Sequence, residues 1–254
     1  MVEPIMQNKD VSGKVALITG GARRIGATIV QALHSEGMQI VVHYRGSGED
    51  ARALQAKLNA LRSDSVALVR GDLLEVTELK NLVRRGVEAF GRLDVLVNNA
   101  SRFYPTPVDD TTEEQWDQLV DTNLKAPFFL CQAAAPELRK HKGCVVNICD
   151  IYAERPLGLH PVYCATKAGL VSLTRSLAAD LAPAIRVNGI SPGAILWPEN
   201  DSDQESQQDI MSRTPLKSLG DPTDIAKTAL FLVRDGSFVS GQVIAVDGGR
   251  SVVP

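Results

Sequence analysis

The chain has 254 residues, 44% of them hydrophobic and 22% charged, with a formal net charge of -3. That is enough apolar material for one full core, and it excludes the strong basic excess that nucleic-acid or anionic-membrane partners require. Cys131, Cys144, Cys149 and Cys164, with four histidines, show neither zinc-ligand spacing nor a disulfide framework, so buried thiols and no metal are expected. Residues 1–12 read as a flexible leader without the apolar stretch of a signal peptide. No apolar run reaches membrane length, so a cytoplasmic location is expected.

Apolar runs and helical patterns alternate along the chain. Val15–Ile18 is a strand ending at Thr19-Gly20-Gly21, and Ile25 to His34 has helical spacing. Ile40–Val42 is the second strand, Glu49 to Leu61 a helix, Val66–Val69 the third strand and Thr77 to Ala89 a helix. Val95–Val97, Cys144 to Cys149, Arg186 to Ile190 and Val243–Val246 are further strands, and long helical patterns cover 112–140 and 162–181. Short, nearly continuous apolar strands between helices predict a single-domain, Rossmann-like doubly wound parallel sheet over 13–254. About seven strands would carry helices on both faces. Residues 197–213 are polar, acidic and without a strand, and are read as a substrate flap.

The turn Thr19-Gly20-Gly21-Ala22-Arg23-Arg24-Ile25-Gly26 lies between strand and helix. There, glycines let the backbone approach a pyrophosphate at a helix N-terminus. Gly20, Arg24, Ile25 and Gly26 are therefore cofactor candidates. At the end of the second strand an acidic residue would bind a ribose 2'-hydroxyl, whereas a basic one accepts a 2'-phosphate. The chain reads His43-Tyr44-Arg45-Gly46-Ser47, with no carboxylate until Glu49. This predicts NADPH, with Arg45 and Ser47 on the phosphate. Asp72-Leu73, Asn99-Ala100-Ser101 and Pro192-Gly193 follow later strands, at the sheet end where open parallel sheets bind ligands.

Tyr163 and Lys167 stand four apart, on one face of a helix. An ammonium there is expected to lower the phenol pKa and help it deliver a proton while hydride arrives from a nicotinamide.

With these motifs in place, the chain resembles the short-chain dehydrogenase/reductase family over about residues 13–250. The likeness rests on the Thr19–Gly26 turn, Asn98-Asn99-Ala100, Asn123, the Tyr163/Lys167 pair, Pro192-Gly193 and Val246-Asp247-Gly248-Gly249. It implies a proton relay from Tyr163 through the cofactor ribose and Lys167 to water near Asn123. It also implies a homotetramer built through the two long helices and the last strand. Three departures resemble the pteridine reductases: Arg24 replaces a glycine of the turn, Asp150 replaces the active-site serine, and Ser101-Arg102-Phe103 follows Asn98-Asn99-Ala100. That resemblance implies that Arg24 reaches cofactor phosphate and pterin, that Phe103 stacks on the pterin, and that Asp150 assists Tyr163. Ser101 would be a polar contact and Leu157 an apolar wall, and Trp197 is expected to close the pocket.

A flat pterin suits an aromatic face, and its ring nitrogen needs a proton when the adjacent carbon takes hydride. Burial would raise the Asp150 pKa and suit it to that task. The expected function is NADPH-dependent reduction of a dihydropterin or dihydrofolate, with oxidised pterins as further substrates. A 3-oxoacyl or other carbonyl reductase is the alternative, and a non-catalytic NADPH-binding sensor is the reading from another class.

Overall fold

The computed structural model describes residues 10–195 and 204–253. Its sheet has seven parallel strands: β1 (Val15–Ile18), β2 (Gln39–Tyr44), β3 (Val66–Arg70), β4 (Val95–Asn98), β5 (Cys144–Ile148), β6 (Arg186–Pro192) and β7 (Val243–Val246). They lie in the order β3-β2-β1-β4-β5-β6-β7. The order reverses direction between β1 and β4, which opens a crevice at their carboxyl ends.

Alternation along each strand builds two cores. Ala16 and Ile18 of β1 face a core filled by Ile29 and Leu33 of α1 (Arg24–Ser35), Leu54 and Leu58 of α2 (Gly48–Leu61), and Ile225 and Ala229 of α8 (Pro222–Leu230). Val15 and Leu17 face the other core. It receives Leu79 and Leu82 of α3 (Val76–Phe90), Leu130 and Leu138 of α5 (Ala126–Lys140) and Leu177 of α6 (Pro161–Asp180). The strands are therefore apolar on both sides, as their sequence requires.

α4 (Glu113–Val120) starts at a capping box in which Thr112 and Gln115 exchange hydrogen bonds. It runs into α5 through one π turn, Asp121–Lys125, so the expected 112–140 helix is continuous but not uniformly α. α8 has its own capping box, with Asp221 and Asp224 reciprocally bonded and Pro222 opening the helix. No helix among the described residues is long and apolar enough to cross a membrane.

Some boundaries differ from those expected. Val11 is only 2% exposed and Lys14 N–H donates to its carbonyl, so the packed body begins two residues before the anticipated start. Ser191 and Pro192 belong to β6 rather than following it, because β7 extends the pairing as far as Pro192–Val246. The segment read as a flap contains α7 (Gln204–Arg213). Its residues 197–203, Trp197 among them, lie outside the described residues.

Candidate active site

The glycine-rich turn is tied to its neighbours by a compact polar knot. Thr19 N–H donates to the Val97 carbonyl at 3.0 Å, and the Thr19 hydroxyl accepts from the main-chain N–H groups of Asn99 and Ala100 at 2.9 and 3.1 Å. Asn99 Nδ2 donates back to the carbonyls of Thr19 and Gly20 at 2.9 and 3.1 Å. A Cβ on Gly26 would stand 2.3 Å from the Gly20 carbonyl oxygen, so only glycine lets α1 start against the turn. Arg24, first residue of α1, has φ 51°, a left-handed conformation that explains why glycine is usual there.

His43 is buried at the end of β2. Its Nδ1 accepts from Gly20 N–H at 3.3 Å and its Nε2 donates to the Gly71 carbonyl at 3.2 Å. Burial is the main force pushing its pKa down to about 4, so the ring is neutral at pH 7 and the two bonds fix its tautomer. Expected as a cofactor contact, His43 spends both ring nitrogens holding the turn against the loop after β3.

These loops surround a cleft of about 470 Å³. It brings together Gly20, Arg24, Ile25, Gly26, His43, Tyr44, Arg45, Ser47, Asp72, Leu73, Asn99, Ala100 and Ser101, each expected from sequence. Ala22, Arg23, Gly46, Arg102 and Thr122 also line it and were not anticipated. The cleft has the parts that a dinucleotide needs: a helix N-terminus, a glycine cradle too tight for a Cβ, and arginines at both ends. Arg45 lies 3.9 Å from Asp72, a loose and exposed ion pair of little strength. Ser47 stands at the N-cap of α2 without a side-chain capping bond, so its hydroxyl is open to an anion.

Pro192, Gly193, Tyr163 and Lys167 are not walls of this cleft. Gly193 N–H donates to the Val246 carbonyl at 3.0 Å, and a Cβ there would stand 2.7 Å from Asp247, so the glycine serves the close approach of β6 and β7.

The catalytic candidates meet at the start of α6, where Pro161 occupies the first turn. The Tyr163 hydroxyl donates to Asp150 Oδ2 at 2.6 Å, and Asp150 Oδ1 accepts from Tyr152 N–H at 2.9 Å. Lys167 is buried, with Nζ donating to the Ile148 carbonyl at 2.9 Å and lying 5.6 Å from the Tyr163 ring centroid. Burial raises the Asp150 pKa, with nearby Lys167 opposing it. Tyr163 does not follow the sequence expectation: its pKa is pushed well above the usual tyrosine value, first by burial and then by the Asp150 charge. The spacing places Lys167 correctly, but burial lowers its own pKa, and at the phenol burial and then the Asp150 charge set the direction. The result is a phenol held protonated beside a carboxyl shifted toward its acid form.

Asn123 lies in the π turn and is buried. Its Oδ1 accepts from Ser101 Oγ at 3.1 Å and Arg102 N–H at 2.8 Å, and its Nδ2 donates to the Arg102 carbonyl and to Thr166 Oγ1 at 3.0 and 3.2 Å. The side chain is therefore a positioning group that joins the β4 loop to α6. Phe103 is 49% exposed rather than core. It stacks on His160 at 4.6 Å and 8°, and meets Tyr163 edge-on at 4.8 Å and 81°. Leu157 packs with the cluster around Val162, Tyr163 and Cys164. Neither Thr19 nor His160 was anticipated, although Thr19 stands in the turn motif itself.

The family model described as Enoyl-(Acyl carrier protein) reductase matches residues 20–251. The chain is 37% identical over 240 residues to the 3-oxoacyl-[acyl-carrier-protein] reductase FabG of Staphylococcus aureus, covering 93% of this chain and 97% of the relative. It is 38% identical over 246 residues to the granaticin polyketide synthase putative ketoacyl reductase 2 of Streptomyces violaceoruber, covering 94% and 96%. Among solved structures, a blue fluorescent protein from a metagenomic library, crystallised in complex with NADPH, matches with a TM-score of 0.90 at 33% identity, covering 95% of this chain and 99% of that one. With the parallel sheet, the glycine turn and the Tyr163/Lys167 helix in place, the chain belongs to the short-chain dehydrogenase/reductase family.

Proposed function

We propose that the protein is an NADPH-dependent reductase of a dihydropterin or dihydrofolate, and that Asp150 and Tyr163 form its acid pair. The observation that carries this reading is the 2.6 Å bond between the Tyr163 hydroxyl and Asp150 Oδ2. Bound NADPH would supply a hydride to a pyrazine carbon. Arg45 and Ser47 would hold its 2'-phosphate, and the α1 N-terminus its pyrophosphate. Lys167 Nζ stands 5.6 Å from the Tyr163 ring centroid. Tyr163 and Asp150 hold the proton for the neighbouring ring nitrogen, where a buried carboxylic acid is a competent donor. Phe103, half exposed beside the phenol, offers a flat substrate an aromatic face.

The relatives favour a second reading, reduction of a 3-oxoacyl thioester, because two of the similar proteins named above carry the names of a 3-oxoacyl-[acyl-carrier-protein] reductase and a putative ketoacyl reductase. Their chemistry builds negative charge on a carbonyl oxygen. Such chemistry is served by a hydroxyl that donates to that oxygen, whereas position 150 here carries a carboxyl group bonded to Tyr163. That is the physical ground for placing the pterin reading first.

NADPH oxidation with dihydrobiopterin, dihydrofolate and a 3-oxoacyl thioester decides between them. Turnover of the thioester with none of either dihydropterin substrate sinks the first reading. Asp150→Ser is expected to cut dihydropterin turnover by about 100-fold or more and to preserve or raise thioester turnover. Because the acid form is required, the rate should fall as pH rises through the raised Asp150 pKa, and Asp150→Asn should flatten that limb. Unchanged substrate-dependent NADPH consumption in Tyr163→Phe would remove the assigned mechanism, whereas NADPH binding in a titration with turnover of none of these substrates would favour the sensor reading.

A further inference from the structure

We infer that Arg102 is an anion contact of the cofactor cleft, with its guanidinium directed at the pyrophosphate of the bound dinucleotide. This rests on the reading that the cleft takes NADPH. Arg102 lines the cleft together with Arg23 and Arg24, and Asp72 is the one carboxylate among the described residues lining it. In a chain of net charge -3, this is a local reversal of sign.

The main chain of Arg102 is locked. Its N–H donates to Asn123 Oδ1 at 2.8 Å and its carbonyl accepts from Asn123 Nδ2 at 3.0 Å. Its NH1 donates to Gln118 Oε1 at 2.7 Å. Gln118 stands one helical turn before Thr122, which also lines the cleft, so this bond holds the guanidinium at the rim. Gln118 is a neutral partner whose own Nε2 donates to Glu114 at 2.9 Å. A guanidinium has five N–H donors, and no ion pair engages Arg102 among the described residues. The remaining donors suit a phosphate, which accepts charge-assisted bonds from a planar fork. The β4 loop borders the glycine-rich turn through Thr19 and Asn99, which brings position 102 to the cleft that the α1 N-terminus also lines.

Equilibrium titrations of NADPH and NADH, followed by cofactor fluorescence, test this without turnover. NADH keeps the pyrophosphate and lacks the 2'-phosphate. Arg102→Gln is expected to weaken both dinucleotides by about tenfold, and to lessen the salt dependence of NADH binding. Arg102→Lys should weaken them less. Arg45→Ala should weaken NADPH alone. The lock on Asn123 uses only the main chain of position 102, so the substituted proteins should keep the wild-type melting temperature. Less than a twofold change in NADH affinity for Arg102→Gln overturns the inference, and so does weakening confined to NADPH. Wild-type protein that binds neither dinucleotide would overturn the cofactor reading itself, a different outcome from intact wild-type binding with an unmoved Arg102→Gln.

Discussion

Arg24 combines a charge at the mouth of the cleft with a left-handed backbone, φ 51°, at the first residue of α1. A side chain in that conformation costs about 1–2 kcal/mol, and glycine escapes most of it. Arg24→Gly and Arg24→Ala lose the same guanidinium but differ in strain. We expect Arg24→Gly to be the more stable of the two by about 1 kcal/mol in urea denaturation, while both bind NADPH more weakly than the wild type. Equal stability would show that the turn relaxes around any residue. The charge at position 24 was readable in the sequence because it interrupts a recognisable turn. The state of Tyr163 was not. Spacing shows that Lys167 shares its helix face, but whether the ammonium or a carboxylate governs the phenol depends on burial and on Asp150, which arrives from the end of β5. Asn123 is similar: its motif marks the position, while its bonds to Arg102 and Thr166 exist only in the folded chain.

Between elements, His43 joins the end of β2 to the turn after β1 and to the loop after β3. Its folded pKa of about 4 lies below the ordinary 6.5. The unfolded chain therefore binds the proton more readily between these values, and stability falls as pH drops from about 6.5 toward 4. The full difference corresponds to about 3 kcal/mol. Urea denaturation at pH 8 and pH 5 should show a loss that His43→Phe reduces. That variant should also be weaker at pH 8, with Gly20 N–H and the Gly71 carbonyl left without their partner. An unchanged pH dependence in His43→Phe would assign the loss to other groups. The strands were the most legible elements, because each is a short apolar run bounded by turn residues. α8 was missed although Asp221-Pro222-Thr223-Asp224 spells a capping box with proline in the first turn. Its helix is short, and its apolar face is completed by α1 rather than by a long pattern of its own.

On the scale of the molecule, apolar side chains remain exposed among the described residues. Phe238 is fully exposed near β7, which among the described residues pairs with β6 alone. On another face, Val108 and Trp116 flank a depression shared with Pro161, Val162 and Ala165 of α6. An edge strand and an exposed aromatic patch are surfaces that symmetric assembly covers. Two independent faces permit a tetramer of two-fold symmetry. We expect sedimentation to give a tetramer, and Phe238→Asp and Trp116→Glu each to give dimers. A monomeric wild type would contradict this.

The π turn at Asp121–Lys125 can also be counted in residues. A π turn is an α-helix carrying one residue more than its period accommodates. Removing one residue from 121–125 would let the rod close into regular α-helix. The flanking helices would keep close to their present register, because the residue lost is the surplus one, but the side chains of the turn itself would be reset. Asn123 would leave Arg102, and the wall that Thr122 lends to the cleft would rotate away. Apart from Asn123, whose four hydrogen bonds depend on its amide, this stretch should therefore tolerate exchange of letters better than loss of one.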